Sequence, residues 1–143
     1  MFYSVFNIPY IILSFGSFLA NQSYGHELIL TIDSVKHIKG VMMIALYNNE
    51  ENYNNNSMAT ATQKITVTDK IIIYKFNEDL PPTYYAIKLY QDENENGKLD
   101  TNFLGIPVEG YGFSNNGGRF GQPQFNDTKF MLDKDQQIVI HLR

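Results

Sequence analysis

The stretch that decides the fold is residues 84–90, YYAIKLY, in which the side chains follow the two-residue period of a β-strand. Residues 64–68, KITVT, repeat this period with Ile65 and Val67 on one face, and residues 40–47, GVMMIALY, form a nearly continuous apolar run of strand length. The other candidate strands are residues 27–33, 71–76, 129–132 and 137–142. Because turn residues separate these segments, the pattern predicts an all-β domain of about seven strands, either a sandwich or a small barrel.

The connections between the strands contain one predicted helical segment, a turn or two over residues 58–63. The Asn-dense residues 48–56, NNEENYNNN, are predicted to form a polar loop before it. Residues 79–83, DLPPT, are predicted to be a turn, because proline fixes its own φ and restrains the residue before it.

A long Gly/Asn-rich loop is predicted over residues 110–121, where it would cross a sheet edge. Four aromatic side chains are expected to anchor it: Tyr111, Phe113, Phe120 and Phe125. A ligand groove lined by Tyr111 and Phe113 is the functional alternative. The glycines do not open a helix in a βαβ unit, so they do not indicate a dinucleotide site. Ser114 lacks the second glycine of a nucleophile elbow.

The segment after the decisive strand, residues 91–113, has the spacing of a calcium-binding loop. Five residues match the first, third, fifth, sixth and ninth positions of an EF-hand loop: Asp92, Asn94, Asn96, Gly97 and Asp100. Short oxygen-bearing side chains at alternate positions can converge on one hard cation, and the glycine supplies the sharp turn. The backbone carbonyl of Lys98 would serve as a further ligand, so the loop predicts a bound calcium ion.

One ligand of an EF-hand is missing from this loop, since its twelfth position is Phe103 instead of glutamate. Glu109 is the best substitute, and without the glutamate the site is expected to be weak. The predicted metal ligands are Asp92, Asn94, Asn96, Lys98, Asp100 and Glu109. Leu99 is expected to anchor the loop on the core, and Glu93 and Glu95 to face water. The alternative is a solvated β-turn in which Asp and Asn side chains cap their own backbone.

Charge and composition exclude several classes of function. The net charge of −4 argues against binding to nucleic acids or to anionic membranes, which both require a basic face. With no cysteine, the chain has neither a disulfide nor a lipid-modified cysteine. His26, His37 and His141 are scattered and lack metal-ligand spacing. We therefore predict no catalytic residue, and the alternative is a small secreted hydrolase in which Asp92 and Glu109 share acid and base roles.

The first 25 residues are predicted to be a signal peptide, removed by cleavage after Gly25 to leave one domain over residues 26–143. They carry no charged side chain and contain an apolar run over residues 8–15, although Lys and Arg are missing near Met1. The alternative is an uncleaved membrane anchor. Pro9 and Gly16 interrupt the apolar run, which is shorter than the roughly 20 residues that a membrane span needs.

Residues 76–132 resemble a bacterial family known as domain of unknown function 2141. The resemblance is carried by residues 92–102, DENENGKLDTN, and residues 105–116, GIPVEGYGFSNN, and it extends more weakly to residues 40–47. A Pro-Thr pair, Pro82-Thr83, stands where a Pro-Gly turn is usual in the family. The resemblance implies a small exported protein with an immunoglobulin-like or transthyretin-like sandwich and no established activity.

Taken together, the sequence predicts an exported, single-domain antiparallel β-sandwich that resides in the periplasm, on the outer surface or outside the cell. Its expected role is that of a non-catalytic binding or structural module with a weak calcium-binding loop. The expected partner is a protein or glycan at the cell envelope.

Overall fold

Two β-sheets make up most of the structure, a computed structural model that describes residues 25–76 and 79–143. The eight strands are β1 (Leu28–Asp33), β2 (Val41–Tyr47), β3 (Ala61–Thr66), β4 (Ile72–Lys75), β5 (Thr83–Asp92), β6 (Tyr111–Phe113), β7 (Phe130–Leu132) and β8 (Gln136–His141). Short helices are α1 (Glu50–Asn54) and α2 (Phe125–Thr128), and a 3₁₀ turn covers Ser114–Asn116. The predicted signal peptide lies outside the described residues except for Gly25.

The sheets have three and five strands. The smaller sheet has the order β4-β1-β8, and the larger has the order β3-β2-β5-β6, with β7 pairing with the start of β5. The predicted all-β sandwich is therefore confirmed. All pairs are antiparallel except β1 with β8, which run parallel from Leu28 opposite Gln136 to Asp33 opposite His141. Among the described residues, no helix is long and apolar enough to span a membrane.

The core lies between the two sheets and follows the predicted two-residue period. Buried side chains alternate along three strands: Leu28, Leu30 and Ile32 of β1, Met42, Ile44 and Leu46 of β2, and Tyr85, Ile87 and Leu89 of β5. Fully burying one such side chain stabilises the fold by roughly 1.5–3 kcal/mol. The same alternation turns the intervening residues of β2 and β5 toward the outer face of the larger sheet.

The predicted helix over residues 58–63 is wrong, because Ala61–Thr66 is strand β3 and pairs antiparallel with β2. The helix lies earlier, at Glu50–Asn54, within residues predicted to be a loop. Asn49 caps it, since its side chain accepts a hydrogen bond from the backbone N–H of Asn52. Tyr53 is fully buried and packs edge-on against the rings of Tyr47 and Phe125. Packing of this one aromatic residue stabilises a helix too short to form by itself.

The Gly/Asn-rich region contains strand β6, which the sequence did not predict. Gly112 faces the core at its centre, where an added Cβ would lie 2.5 Å from Cγ2 of Ile140, so only glycine lets the two sheets approach here. Of the four predicted aromatic anchors, Phe113 and Phe125 are buried and Tyr111 is half-buried. Phe120 is 98% exposed, so its predicted role as an anchor is wrong.

Ser114 has a structural role in this region. Its hydroxyl is fully buried, accepts a hydrogen bond from the backbone N–H of Ile87 at 2.9 Å, and donates to the carbonyl of Thr128 at 2.6 Å. It therefore connects β5 to the segment before β7.

We predict that Ser114→Ala lowers the free energy of unfolding by about 1–3 kcal/mol, because it leaves a buried N–H and a buried carbonyl without their partner. Urea denaturation measures the change. The control is Ser57→Ala, at an exposed serine, for which we expect a change within about 0.5 kcal/mol. Equal effects of the two substitutions would contradict a structural role of Ser114.

Candidate cation-binding loop

The acidic loop connects β5 to β6 and folds back on itself. At its base, the backbone N–H of Gln91 donates to the carbonyl of Gly110 at 2.7 Å. Further out, the N–H of Val108 donates to the carbonyl of Asp100 at 2.9 Å, and Thr101 pairs with Pro107 in an isolated β-bridge. This hairpin-like arrangement brings the residues before Gly110 alongside the residues that follow β5.

Glu109 is placed against the start of the loop by this arrangement. Its side chain is only 6% exposed, and its two carboxylate oxygens accept different backbone N–H groups. Oε1 accepts from Glu93 at 2.8 Å and Oε2 from Asp100 at 2.9 Å. Glu109 thus links both halves of the predicted calcium loop through hydrogen bonds to their backbones.

Asp92 is the second buried carboxylate, with 1% of its surface exposed. Its Oδ1 accepts from the N–H of Asn96 at 3.0 Å, and its Oδ2 from the N–H of Gly97 at 2.7 Å. Gly97 has a φ of +81°, in the left-handed region that glycine enters without strain. The glycine predicted to make the sharp turn therefore directs its own N–H at the first acid of the loop.

Asp100 receives the side-chain amides of two asparagines. Nδ2 of Asn94 lies 2.6 Å from Oδ2 of Asp100, and Nδ2 of Asn96 lies 2.9 Å from Oδ1. The amide oxygens of Asn94 and Asn96 accept from the backbone N–H groups of Asn96 and Lys98, at 3.1 and 2.9 Å. The structure therefore brings the predicted ligand residues of positions 92–100 into one hydrogen-bonded network.

The donor chemistry of this network suits a hard cation, but the orientation of its amides does not. Asp92, Asp100 and Glu109 supply carboxylates, whereas Asn94 and Asn96 present amide nitrogens toward Asp100. Among residues 25–76 and 79–143, no group of three or more His, Cys, Asp or Glu side chains is arranged to hold a metal ion. A cation at this place would require both amides to turn their oxygens inward.

Two expectations for the neighbouring side chains are wrong. Glu93 does not face water: its side chain is 14% exposed and pairs with Lys39 at 2.9 Å and with Nδ1 of His37 at 3.1 Å. Leu99 is half-buried on the outer face of the larger sheet and is not part of the core. Glu95 is exposed, as expected.

The electrostatics of Glu93 depend on its two cationic neighbours. Burial alone would raise the pKa of its carboxyl, but hydrogen bonds and charge from Lys39 and His37 outweigh burial and leave the pKa below its ordinary value of 4.5. Lys39 and His37 lie in the connection before β2, so this acid ties that connection to the loop.

The three histidines lie beside three different acidic residues. His37 contacts Glu93, His26 lies near Asp135, and Nδ1 of His141 lies 2.6 Å from Oδ1 of Asp33. The hydrogen bond from His141 is the main reason that the pKa of Asp33 is lowered. Because each histidine has its own acidic partner, the three do not form a common site.

The far end of the loop is an apolar tip, defined here as Phe103, Leu104, Ile106 and Val108, whose side chains are all exposed. Asn102 holds it in shape, because its Oδ1 accepts the backbone N–H groups of Leu104 and Ile106 at 2.9 and 3.1 Å. In the sequence, Phe103 stood out only because it replaces a calcium ligand. The signal that could have revealed the tip is the run of large apolar residues in FLGIPV, which lies outside any strand.

These features define a class: a small all-β sandwich protein with an acidic, internally hydrogen-bonded loop between two strands of its larger sheet. The model of a family described as uncharacterised proteins conserved in bacteria (DUF2141) matches residues 30–140, so the chain belongs to that family. This match confirms the family resemblance. No match was found among curated proteins or among solved structures.

We predict that Glu93→Gln lowers the melting temperature at pH 7. At pH values well below 4.5, the substitution should have no effect on the melting temperature. The pKa of Glu93 is lowered in the folded state, so its stabilisation is present above pH 4.5 and is lost as the pH falls through the folded-state pKa. Thermal unfolding of both proteins between pH 7 and pH 3 tests this. Glu95→Gln, at an exposed acid of the same loop, is the control and should keep the melting temperature of the parent protein at pH 7. A Glu93→Gln deficit that stays constant with pH would contradict the prediction.

Proposed function

We propose that this chain is an exported, non-catalytic β-sandwich module whose loop over residues 92–109 is stiffened by a weakly bound calcium ion. The observation that carries the proposal is the position of Asp92 and Glu109. Both carboxylates are buried, and each accepts two backbone N–H groups of the same loop. Acids used in this way determine the conformation of a loop.

The same observation favours a structural over a catalytic use of these acids. A general acid or base must reach a proton on a substrate, usually within about 3 Å. Asp92 and Glu109 are almost fully buried, and their oxygens already bind the N–H groups of Glu93, Asn96, Gly97 and Asp100. A hydrolase that uses these two carboxylates would first have to release the loop that they hold.

A calcium ion would be held by oxygen atoms of residues that already share one hydrogen-bonded network, once the two amides have turned. Asp92 and Asp100 would supply carboxylate oxygens that have unused lone pairs, Lys98 its carbonyl, and Asn94 and Asn96 their amide oxygens. Glu109 would complete the site from the other side of the loop. Calcium takes six to eight oxygen ligands, and these six residues would supply at least six.

The affinity for calcium should be low because the amides of Asn94 and Asn96 must rotate. Each rotation gives up a hydrogen bond to a backbone N–H, which costs about 1 kcal/mol. The glutamate that closes an EF-hand is also replaced by Phe103. We therefore place the dissociation constant on the order of 10⁻⁴ to 10⁻³ M, in the range of extracellular calcium modules.

We predict that millimolar calcium raises the melting temperature and that a chelator reverses the effect. At ten times the dissociation constant, binding stabilises the folded state by about 1.4 kcal/mol. For a domain of this size, that corresponds to a shift of a few degrees. Differential scanning fluorimetry across a calcium titration measures it.

Two matched variants localise the effect. Asp100→Asn replaces a proposed carboxylate ligand by a neutral amide and should reduce the calcium-dependent shift, whereas Glu95→Gln removes an exposed acid of the same loop and should retain the full shift. A hydrolase that uses Asp92 and Glu109 would instead lose turnover in Asp92→Asn without a change in calcium response. If the parent protein shows no shift up to roughly 10 mM calcium, above the weak-site range, the solvated-turn alternative stands.

The exported state and the envelope partner belong to the same proposal. The apolar, uncharged character of residues 1–25 supports export, and the exposed apolar tip supports contact with a partner protein, since clustered exposed apolar residues mark interaction sites.

We predict that the mature protein begins within a few residues of His26. The residues before His26 suit a signal peptidase, and the apolar run is too short to remain as an anchor. Mass spectrometry of the protein from the extracytoplasmic fraction determines the terminus. Recovery of a membrane-bound form that retains residues 1–25 would contradict export with cleavage.

A further inference from the structure

The outer face of the larger sheet forms a groove of about 650 Å³. Its floor follows from strand register, because cross-strand partners lie side by side on one face. One row is Lys64, Met43, Tyr90 and Tyr111, and the next row is Thr62, Ala45, Lys88 and Phe113. Ala45 is small and stands between larger neighbours, so the second row is lower at that point.

Both ends of the groove are bounded by loops. Leu99 of the acidic loop lies at one end, where the hydroxyl of Tyr90 donates to the carbonyl of Gly97 at 3.1 Å. Asn56 and Gln122 line the groove as well, and Nδ2 of Asn56 lies 3.5 Å from Oε1 of Gln122. The volume falls within the roughly 300–1,000 Å³ of small-molecule sites.

The groove carries positive charge in a chain whose net charge is −4. Lys64 and Lys88 line it, and among the described residues no Asp or Glu side chain does. Acidic residues account for 15 positions in the sequence, so their absence from this lining separates the groove from the rest of the surface. Electrostatic complementarity therefore favours an anionic ligand.

Lys88 is a half-buried ammonium group without an acidic partner among the described residues. It donates to the carbonyl of Tyr53 and to Oδ1 of Asn56, the latter at 2.7 Å, and lies 3.9 Å from the ring centroid of Tyr53. Burial lowers its pKa from 10.5 to about 8. The charged form of a lysine that only neutral groups solvate is stabilised when an anion binds beside it.

The aromatic residues of the floor favour a ligand whose uncharged part is an aromatic ring system. Tyr111 and Phe113 stand edge to face, with ring centroids 6.0 Å apart, and Tyr90 lies beside Tyr111 in the same row. Aromatic rings favour other rings in offset or edge-to-face contact, worth about 0.5–1.5 kcal/mol beyond the burial of area. Met43 adds an adaptable apolar surface to the floor.

We propose that this groove binds a small molecule with an aromatic body and one carboxylate or sulfonate group, which pairs with Lys88 and Lys64. The rings lie against Met43, Tyr111 and Phe113, and the anion is within reach of the long side chains of Lys64 and Lys88. This site is separate from the proposed calcium loop, and its binding is measured in the presence of a chelator.

The experiment compares two fluorescent probes that share one aromatic body. 8-Anilinonaphthalene-1-sulfonate carries the anion, and N-phenyl-1-naphthylamine is its uncharged counterpart. We expect the sulfonate probe to bind the purified protein at one site and about tenfold more tightly than the neutral probe, as one charged hydrogen bond would provide. Equal affinities would overturn the anionic part of the proposal.

Variants of the floor locate the site. Ala45→Phe fills the lowest part of the groove and should abolish binding of both probes. Val139→Phe, on the exposed face of the smaller sheet, is the matched control and should bind like the parent protein. If Ala45→Phe does not fold, as judged by its melting curve, Met43→Glu replaces it and should exclude the sulfonate probe. Its matched control is Ile73→Glu, at an exposed position of β4.

Variants of the lysines test the anion separately. Lys64→Gln and Lys88→Gln should each weaken binding of the sulfonate probe by about threefold, so that together they account for the tenfold gain, and leave the neutral probe unchanged. Lys70→Gln, at an exposed lysine outside the groove, is the control and should change neither.

One alternative binding place for an aromatic probe is the exposed apolar tip. The double variant Phe103→Ser with Leu104→Ser removes most of that surface and should leave probe binding intact. If this variant loses the probe while Ala45→Phe retains it, the probe binds the tip and the proposal is overturned.

Discussion

The carboxylate of Glu109 joins the backbones at the start and at the end of residues 93–100, and the geometry of the acidic loop depends on it. A buried carboxylate is costly unless its oxygens accept hydrogen bonds, and each bond to such a charged group contributes about 1.5–3 kcal/mol. Glu109 meets this requirement with the N–H groups of Glu93 and Asp100. The carboxylate of Asp92 likewise accepts hydrogen bonds from the N–H groups of Asn96 and Gly97. These two buried carboxylates therefore hold the loop, which has no hydrophobic core of its own.

The sequence predicted those parts of the fold that depend on local periodicity. Strand β5 is an example, since Tyr85, Ile87 and Leu89 alternate with residues of the other face and are buried as a set. Strand β6 was missed because a three-residue strand around Gly112 has almost no periodicity. The parallel pairing of β1 with β8 joins segments about a hundred residues apart, and no local pattern encodes the direction of such a pair.

The helix was misplaced for a similar reason. Alternating Ala and Thr residues in 59–62 do not separate helix from strand, and the pairing of β3 with β2 decided the outcome. The preceding Asn-dense segment forms a helix because Tyr53 finds a buried position against Tyr47 and Phe125. Tyr47 belongs to β2 and Phe125 to α2, so that position depends on tertiary structure and not on the local sequence.

The candidate sites differ in how much of each could be predicted. Oxygen-bearing side chains at alternate positions indicated that Asp92, Asn96 and Asp100 would approach one another, and they share one network. The orientation of the amides could not be predicted, because it depends on which backbone N–H groups the turn leaves unpaired. Lys88 was not singled out either. Its neutral surroundings arise from α1 and from cross-strand neighbours, neither of which is visible in a single strand.

Tyr90 connects the two regions of the molecule. Its ring forms part of the groove, and its hydroxyl bonds to the carbonyl of Gly97 in the acidic loop. A change in the conformational freedom of that loop therefore acts on Tyr90 and, through it, on the floor of the groove. Thermodynamic linkage makes such an effect reciprocal. If a ligand in the groove favours the ordered loop by some free energy, ordering of the loop favours ligand binding by the same free energy. The hydroxyl of Tyr90 thus couples the acidic loop to the groove on the outer face of the larger sheet.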